Sequence, residues 1–409
     1  MIMKMKIMTH FCNCAVLALL SLAACTEIPG DKSKPEWKES ASGVWEISVG
    51  KPEKLNLLSE LGLHPKWDAI NAMPKADLPV DRDEIRFEEV DGKTYIRFPL
   101  DKGEKIFGLG LNFKTVEQRG RILELHVDHY GGKDNGRTHA PVPFFVSSKG
   151  YGAFINSARY IKAYVGTGVR KDTKNPPEVQ DRNTDPGWSA QPYSDNLEFL
   201  VPAEGVEVVL FAGQDMQDVV RRFNLFNGGG VLPPKWGLGF WHRVPTLFTD
   251  RQVQDEIAEF RKRGFPLTVI GLEPGWMSRA YPCTYEWDAT RFPEPGKFVN
   301  DLLQKHIRTN LWFNPGVSPE CEIRDAIEPY TASHTEWNGL IPDYRMPEAR
   351  RIMLDHFKKH QLDMGVSGYK MDENDGYDNW LWPDVATFPS GTPAEQMRQI
   401  YGSLMLDYD

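Results

Sequence analysis

The sequence predicts an N-terminal antiparallel β-sandwich followed by a partial (β/α)8 TIM barrel of about four strands. Between Val44 and Gly213, short runs of alternating polarity are separated by turn residues, and no long helical periodicity interrupts them. After Pro234, short apolar runs alternate with amphipathic helices, which is typical of parallel β/α units. The glycines at 228–230 and the Pro233-Pro234 pair mark the boundary between these two textures. We therefore expect one domain over 44–230 and a second over 231–409.

Three β-hairpins are predicted in the first domain, each from two alternating runs joined by a short turn. They pair Ile85–Val90 with Thr94–Leu100 through Asp91-Gly92, Val142–Ser147 with Gly152–Asn156, and Leu197–Val201 with Val206–Phe211. A short connecting helix, Met216–Leu225, follows with Asp215 as its N-cap.

The second domain alternates predicted strands and helices. The strands are Trp236–Trp241, Leu267–Leu272, Thr309–Phe313 and Gly368–Met371, and the helices are Thr249–Arg263, Lys297–His306 and Pro347–Lys359. The separation between successive strands grows along the chain, so long loops must follow the second and third strands. Such loops build the ligand site of a β/α barrel.

The N-terminus is predicted to be a sorting signal. Lys4 and Lys6 precede a short apolar stretch, Ala15–Leu22, and small residues lead to Cys25. This pattern predicts a bacterial lipoprotein signal over 1–24, lipid attachment at Cys25 and a flexible tether over 25–43, with a plain secretory signal as the alternative. The protein would then be exported to the periplasm or the outer-membrane or cell surface, bound to the membrane through its lipid only.

Composition narrows the classes of partner. The 409 residues have a formal net charge of -9 and contain no basic tract, which argues against nucleic acid and is compatible with a neutral sugar ligand. Outside the predicted signal and Cys25, the cysteines are Cys283 and Cys321. Export would permit a disulfide between them, and two buried free thiols are the alternative.

The most informative segment is residues 365–378, GVSGYKMDENDGYD, where a strand-like run ends in Lys370-x-Asp372. Side chains two apart on a strand share a face, so the ammonium of Lys370 would favour the ionised carboxylate of Asp372. A carboxylate at the end of a barrel strand is suited to act as the nucleophile of a glycosidase. The acidic residues also suggest a calcium loop, but Gly376 and Tyr377 stand where that loop requires a ligand and a glycine, so we expect no metal site.

Other residues fit a sugar site at the same rim. Glu273 follows the second strand and offers a carboxylate to sugar hydroxyls. Trp276, Trp287 and Trp312 are candidates for its aromatic wall, with ordinary core packing as the alternative for each.

Several segments, in order, resemble glycoside hydrolase family 31, the retaining α-glucosidase and α-xylosidase group. The segments are IFGLGLNF (106–113), PVPFFVS (141–147), PPKWGLGFW (233–241), FRKRGFPLTVIGLEPGWM (260–277), YEWDATRFPEPGKFVNDLLQKHIRTNLWFNP (285–315), DYRMPEARR (343–351) and YKMDEND (369–375). The resemblance covers roughly 104–378.

The resemblance implies roles for individual residues. Asp372 matches the family's nucleophile, Glu273 its strand-two carboxylate in the innermost sugar subsite, and Trp312 its strand-three tryptophan. The segment Val127–His139 is the candidate for the sandwich loop that reaches into the site, with Asp128 as a sugar contact. No cofactor is implied, and the expected partner is an oligosaccharide or glycoside.

The sequence departs from the family's pattern at three points. Glu273 replaces an aspartate, Asp375 stands where a glutamate is usual, and the general acid/base would lie on a strand beyond Asp409. We therefore expect a fragment of a longer gene product, truncated at the C-terminus. The alternatives are an α-galactosidase of the same barrel type and a non-catalytic, surface carbohydrate-binding lipoprotein.

Overall fold

The computed structural model describes residues 35–53, 55, 57–129, 134–376 and 380–406, and the described residues from Glu36 onward belong to one compact unit. The predicted signal over 1–24, Cys25 and most of the predicted tether lie outside the described residues. Among the helices that the structure describes, none combines the length and the apolar character needed to cross a membrane.

The described residues of the first half of the chain form twelve strands and three α-helices. The strands are β1 Lys38–Ala41, β2 Val44–Gly50, β3 Arg86–Val90, β4 Lys93–Pro99, β5 Ile106–Gly108, β6 Arg121–Val127, β7 Arg137–Thr138, β8 Phe144–Ser147, β9 Tyr151–Asn156, β10 Ile161–Val165, β11 Asn196–Val201 and β12 Gly205–Ala212. The helices are α1 Leu57–Glu60, α2 Trp67–Asn71 and α3 Met216–Phe226.

These strands form two six-stranded sheets around a shared core. The orders are β1-β2-β12-β9-β8-β5 and β3-β4-β11-β10-β6-β7, antiparallel except for the β6–β7 pair. Alternate residues of β4, such as Ile96 and Phe98, are buried because successive side chains point to opposite faces. Phe98 meets Phe145 of the other sheet with ring centroids 5.1 Å apart. The two sheets therefore bury one common apolar layer.

The hairpin predictions succeed twice and fail once. Strands β3 and β4 pair through Asp91 and Gly92, which both have positive φ, and β8 pairs with β9. The predicted pairing of β11 with β12 is wrong, because β11 lies between β4 and β10 while β12 lies between β2 and β9. The short connection between them therefore carries the chain from one sheet to the other, and both strands are buried along most of their length.

The tether prediction also requires correction at its C-terminal end. Residues Lys38–Ala41 form β1, which pairs with β2, so the ordered β structure begins before Val44. Lys38 and Glu39 are exposed, as expected of an edge strand, and this explains why the segment reads as a polar linker.

The second half contains a parallel sheet with its helices. The strands are β13 Phe240–Arg243, β14 Leu267–Leu272, β15 Arg308–Phe313, β16 Thr331–Glu336, β17 Gly339–Pro342 and β18 Gly368–Met371. The helices are α4 Asp250–Lys262, α5 Pro295–Gln304, α6 Arg324–Ile327, α7 Pro347–His360 and α8 Ala394–Leu406. The parallel sheet has the order β13-β14-β15-β18, and β16 and β17 form a separate antiparallel pair.

The sequence predicts these β/α elements closely. Helix α4 begins after Thr249, which forms a capping box with Gln252, and β14 and β18 have the predicted bounds. The first strand begins later than predicted, at Phe240, because Lys235–Leu238 forms a 3-10 helix, and it runs beyond the predicted end to Arg243. The long loop after β15 contains the β16–β17 hairpin, whose turn includes Trp337 and Asn338 at positive φ.

Helix α8, which the sequence analysis did not predict, joins the two halves. Its Gln399 accepts a hydrogen bond from the Val127 amide at 2.9 Å and donates one to the Leu125 carbonyl at 2.7 Å. Glu395 of the same helix pairs with Arg159 at 3.1 Å. These contacts hold the end of β6, and thus the start of the Val127–His139 loop, beside the parallel sheet.

Candidate active site

Asp372 lies immediately after β18, at the carboxyl edge of the parallel sheet. Its backbone amide donates to the Phe313 carbonyl at 2.9 Å and so continues the β15–β18 ladder by one residue. The next residue, Glu373, has φ 61°, so the chain turns away there. The strand thus ends with the Asp372 side chain at the edge where β/α proteins bind their ligands.

Both oxygens of the Asp372 carboxyl are engaged. Oδ2 accepts the indole N–H of Trp312 at 2.7 Å and lies 2.9 Å from Nζ of Lys370, while Oδ1 accepts the Glu373 amide at 3.1 Å. Burial by itself would raise the pKa of Asp372, but the bonds from Trp312 and Lys370 outweigh it and hold that pKa below its ordinary value. The side chain is 36% exposed, so this ionised carboxylate is accessible.

The tryptophans predicted to form a sugar wall differ in their surroundings. Trp312 is buried in β15 and directs its N–H to Asp372, so it acts on the carboxylate itself. The expectation that Trp276 contacts the sugar is corrected, because its side chain is 1% exposed and its N–H donates to the Trp312 carbonyl at 2.8 Å. Trp287 packs on Trp276 and donates to the His360 carbonyl at 2.9 Å. Trp276 therefore binds the backbone of β15, and Trp287 packs against Trp276 rather than facing the site.

Glu273 lies at the end of β14, at the same edge as Asp372 but with β15 between them. Its Oε1 is 3.2 Å from Nε of Arg243, at the end of β13. Glu273 is 13% exposed and Arg243 is 63% exposed, so this ion pair borders the open side of the site. The carboxylate is thus placed at the rim, where the sequence predicts it.

The Val127–His139 loop reaches the site through histidines rather than through Asp128. Asp128 is 2% exposed, accepts from Asn135 at 3.0 Å and pairs with Arg137 at 3.1 Å, so the expected sugar contact is corrected to a role within the loop. The His129 amide donates to the Asp375 carbonyl at 3.1 Å, and His139 Nε2 lies 2.9 Å from Asp375 Oδ2. Residues 130–133 of this loop lie outside the described part of the chain.

Sequence reasoning missed a second group of polar residues beside Asp372. Glu373 accepts from the Tyr281 hydroxyl at 3.2 Å and from the Asn314 amide at 3.4 Å. Burial and the charge of Asp372 raise the pKa of Glu373. Glu336, at the end of β16, is 2% exposed, and burial together with the charge of Glu373 raises its pKa to about 9. Neither carboxyl oxygen of Glu336 has a hydrogen-bond partner among the described residues.

The two cysteines are free and buried, so the alternative of two thiols is the one observed. Burial raises the pKa of both, that of Cys321 to about 12, so they are protonated thiols. Within the described residues, the ligand-type side chains close enough to share a cation are Glu286, Cys321 and His356, and Glu322, His356 and His360. Neither group includes Asp372.

A two-sheet β domain and a parallel β/α sheet with a carboxylate at the end of its fourth strand define the class of β/α proteins that carry an N-terminal β domain. The family model for the glycosyl hydrolases family 31 TIM-barrel domain matches residues 230–408. The model for the glycosyl hydrolase 31 N-terminal galactose mutarotase-like domain matches residues 31–162. The chain belongs to glycoside hydrolase family 31, a family of glycosidases.

The individual relatives that the chain matches are consistent with this family assignment. An alpha-xylosidase of Emericella nidulans is 26% identical over 300 residues, covering 70% of this chain and 35% of that protein. An alpha-glucosidase of Saccharolobus solfataricus is 24% identical over 354 residues, covering 82% of this chain and 46% of that protein. The chain thus spans less than half the length of these relatives. The structure of a GH31 dextranase of Flavobacterium johnsoniae complexed with glucose superposes with a TM-score of 0.69 at 18% identity, over 90% of this chain and 49% of that one.

Proposed function

We propose that this chain forms the nucleophile-bearing part of a retaining α-glycoside hydrolase, with Asp372 as the nucleophile. The observation that carries the proposal is the placement of Asp372 Oδ2 within 2.7 Å of the Trp312 indole and 2.9 Å of the Lys370 ammonium. These donors keep the carboxylate ionised at neutral pH, as attack on an anomeric carbon requires. The chain covers only part of its relatives' length, so the reaction is proposed for the complete gene product.

The steps follow from the chemistry of retention. The Asp372 carboxylate attacks the anomeric carbon, and the bond from that carbon to the leaving oxygen breaks as a second carboxyl protonates this oxygen. Water, deprotonated by the same second carboxyl, then displaces Asp372 and releases the sugar with its original anomeric configuration. We assign the second carboxyl to no residue of this chain.

The proposed substrate class is α-xylosides and α-glucosides. It is supported by the relatives named alpha-xylosidase and alpha-glucosidase, whose segments align with this chain over most of its length. Glu273, with Arg243 beside it, is the proposed contact for the hydroxyls of the innermost sugar, because it is the rim carboxylate two strands from Asp372.

The test is covalent trapping in the complete gene product. A 5-fluoro α-glucosyl or α-xylosyl fluoride should glycosylate the Asp372 carboxylate with release of fluoride, and peptide mass spectrometry should find the sugar on the peptide that contains this residue. Asp372→Asn should abolish labelling and turnover. Asp363→Asn is the matched control, since Asp363 is 56% exposed, lies after α7 and pairs with Lys358.

Labelling of another carboxylate, or an active Asp372→Asn enzyme, would overturn the nucleophile assignment. Sugar binding without turnover or labelling in the wild type would instead support a carbohydrate-binding protein. Turnover of nitrophenyl α-galactoside in preference to the α-glucoside and α-xyloside would change the substrate class but leave the nucleophile in place.

We also propose export with lipid attached to Cys25. The support is the arrangement of Lys4, Lys6, the apolar stretch over 15–22 and the small residues before Cys25. Radiolabelled palmitate should be incorporated into the wild type and not into Cys25→Ser, and the wild type alone should partition into detergent. Equal aqueous partitioning of both proteins would favour a plain secretory signal.

A further inference from the structure

Two histidines and a glutamate converge near the end of α7, in a group that does not include Asp372. His356 and His360 are four residues apart near the end of α7 and therefore share one helix face, with ring centroids 4.5 Å apart. Glu322, in the loop before α6, places Oε1 3.1 Å from His356 Nδ1 and 2.8 Å from His360 Nε2. One carboxylate oxygen thus lies opposite two imidazole nitrogens.

The surroundings of His356 point to a cation. Its side chain is 0% exposed, and its two ring nitrogens both face oxygens, Nδ1 that of Glu322 and Nε2 the Thr284 carbonyl at 3.3 Å. A neutral imidazole has one N–H and can satisfy only one of these oxygens. One ring nitrogen of a neutral His356 therefore presents a lone pair to an oxygen, and a cation between Nδ1 and the Glu322 carboxylate would remove this mismatch.

We propose that Glu322, His356 and His360 bind a divalent transition-metal ion of the Zn²⁺ type. Two imidazoles and one carboxylate are ligands that Zn²⁺ accepts at about 2.0–2.2 Å, which sets neighbouring ligand atoms roughly 3.3 Å apart in a tetrahedron. The three ligand atoms here all lie within 4.8 Å of one another, so small side-chain rotations suffice. Glu322 and His360 are 42% and 21% exposed, which leaves room for water as the fourth ligand.

The neighbouring combination of Glu286, Cys321 and His356 is a weaker candidate. Cys321 Sγ lies 3.1 Å from the Thr284 carbonyl and donates its S–H there, so a metal at this sulfur would have to displace both the hydrogen bond and the proton. His356 directs Nε2 toward the same carbonyl. The metal is therefore assigned to the Nδ1 side of His356.

Lys359 is the competitor for this site. Its Nζ lies 2.9 Å from both carboxylate oxygens of Glu322. The side chain is 64% exposed, and a surface ion pair of this kind contributes little, so breaking it when a metal binds costs little. The metal would link the loop after β15 to α7 and so stabilise the fold. This inference revises the expectation that the chain binds no metal.

The test is calorimetric titration of Zn²⁺ into the untagged full chain after treatment with a chelator. The wild type should bind one Zn²⁺ per chain, and its melting temperature should rise with Zn²⁺. His360→Ala and Glu322→Gln should each weaken binding by at least about tenfold, since a ligand is worth more than the second-shell groups whose loss costs that much. His64→Ala, an exposed histidine outside the cluster, is the matched control and should bind as the wild type does.

Lys359→Ala should bind Zn²⁺ at least as tightly as the wild type, because it removes the competing ammonium. Mg²⁺ should not compete, because it prefers oxygen ligands in an octahedron. The proposal is overturned if the wild type shows no saturable binding, if His360→Ala and Glu322→Gln bind as tightly as His64→Ala, or if Lys359→Ala loses affinity. Equal melting temperatures of all variants in chelator would show that these variants fold.

Discussion

Replacing Glu336 by glutamine should change how stability depends on pH. Glu336 is 2% exposed, and its carboxyl oxygens have no hydrogen-bond partner among the described residues. Its pKa is raised from 4.5 to about 9 by burial and by the charge of Glu373. The folded protein therefore holds this proton between pH 4.5 and pH 9, where the unfolded chain has released it.

The sign follows from proton linkage. Because the folded-state pKa is the higher one, the stability associated with Glu336 is fully present below pH 4.5 and is lost as pH rises toward 9. Each pH unit costs about 1.36 kcal/mol for one proton. Between pH 5 and pH 8 the wild type should therefore lose about 4 kcal/mol relative to Glu336→Gln, which cannot ionise. Burial of the amide adds a constant offset and does not alter this slope.

The assay is urea unfolding followed by tryptophan fluorescence at pH 5, 6, 7 and 8, on the wild type and on Glu336→Gln. Glu320→Gln makes the same chemical change at a side chain that is 61% exposed and paired with Arg279, and it is the control. The stability difference between Glu336→Gln and the wild type should grow steadily with pH, and that between Glu320→Gln and the wild type should not.

A difference that stays constant from pH 5 to pH 8 would refute the reasoning, because it would mean that Glu336 has the same proton occupancy in the folded and unfolded states. A difference that shrinks with pH would also refute it, since Glu336 would then be stabilised as a carboxylate.

Two further substitutions test the site and the sheet. In the proposed full-length enzyme, Trp312→Phe removes the N–H bond to Asp372 and should raise the pKa of Asp372, so the acid limb of the kcat/KM profile should move to higher pH. A limb that does not move would show that Trp312 does not influence the pKa of the titrating group. Leu311→Ala should lower the free energy of unfolding by about 2–5 kcal/mol in urea melts, because Leu311 is 0% exposed in β15, whereas Val385→Ala, at a side chain 76% exposed, should leave it nearly unchanged.

Local signals were sufficient wherever short-range chemistry decides the structure. The capping box at Thr249, the Asp91-Gly92 turn and the alternation of strands with amphipathic helices each depend on residues close in sequence. The same holds for Lys370 and Asp372, which share a strand face and are found 2.9 Å apart.

Predictions that required knowledge of distant neighbours were less successful. The pairing of β11 with β12 seemed natural because the two strands are consecutive, but each finds its partners elsewhere in two different sheets. Trp276 looked like a sugar contact, but the Trp312 carbonyl takes its N–H. Asp128 looked like a site residue, but Arg137 and Asn135 hold it within its own loop.

Glu336 and the Glu322 cluster gave no usable sequence signal. Glu336 is one of 57 acidic residues, and only the folding of the β16–β17 hairpin buries it within range of the charge of Glu373. His356 and His360 show helical spacing, but Glu322 joins them from a loop 34 residues earlier in the chain.

By itself, the sequence determined the two-part architecture and the strand that bears Asp372, because hydrophobic periodicity, turns and caps act over a few residues. The family was indicated separately, by the resemblance of several sequence segments to its members. Only the tertiary structure decided which carboxyls are charged, which indoles face a carboxylate and which histidines meet. Desolvation and hydrogen bonding depend on atoms brought together from distant parts of the chain, and these set the chemistry of Asp372, Glu373 and Glu336.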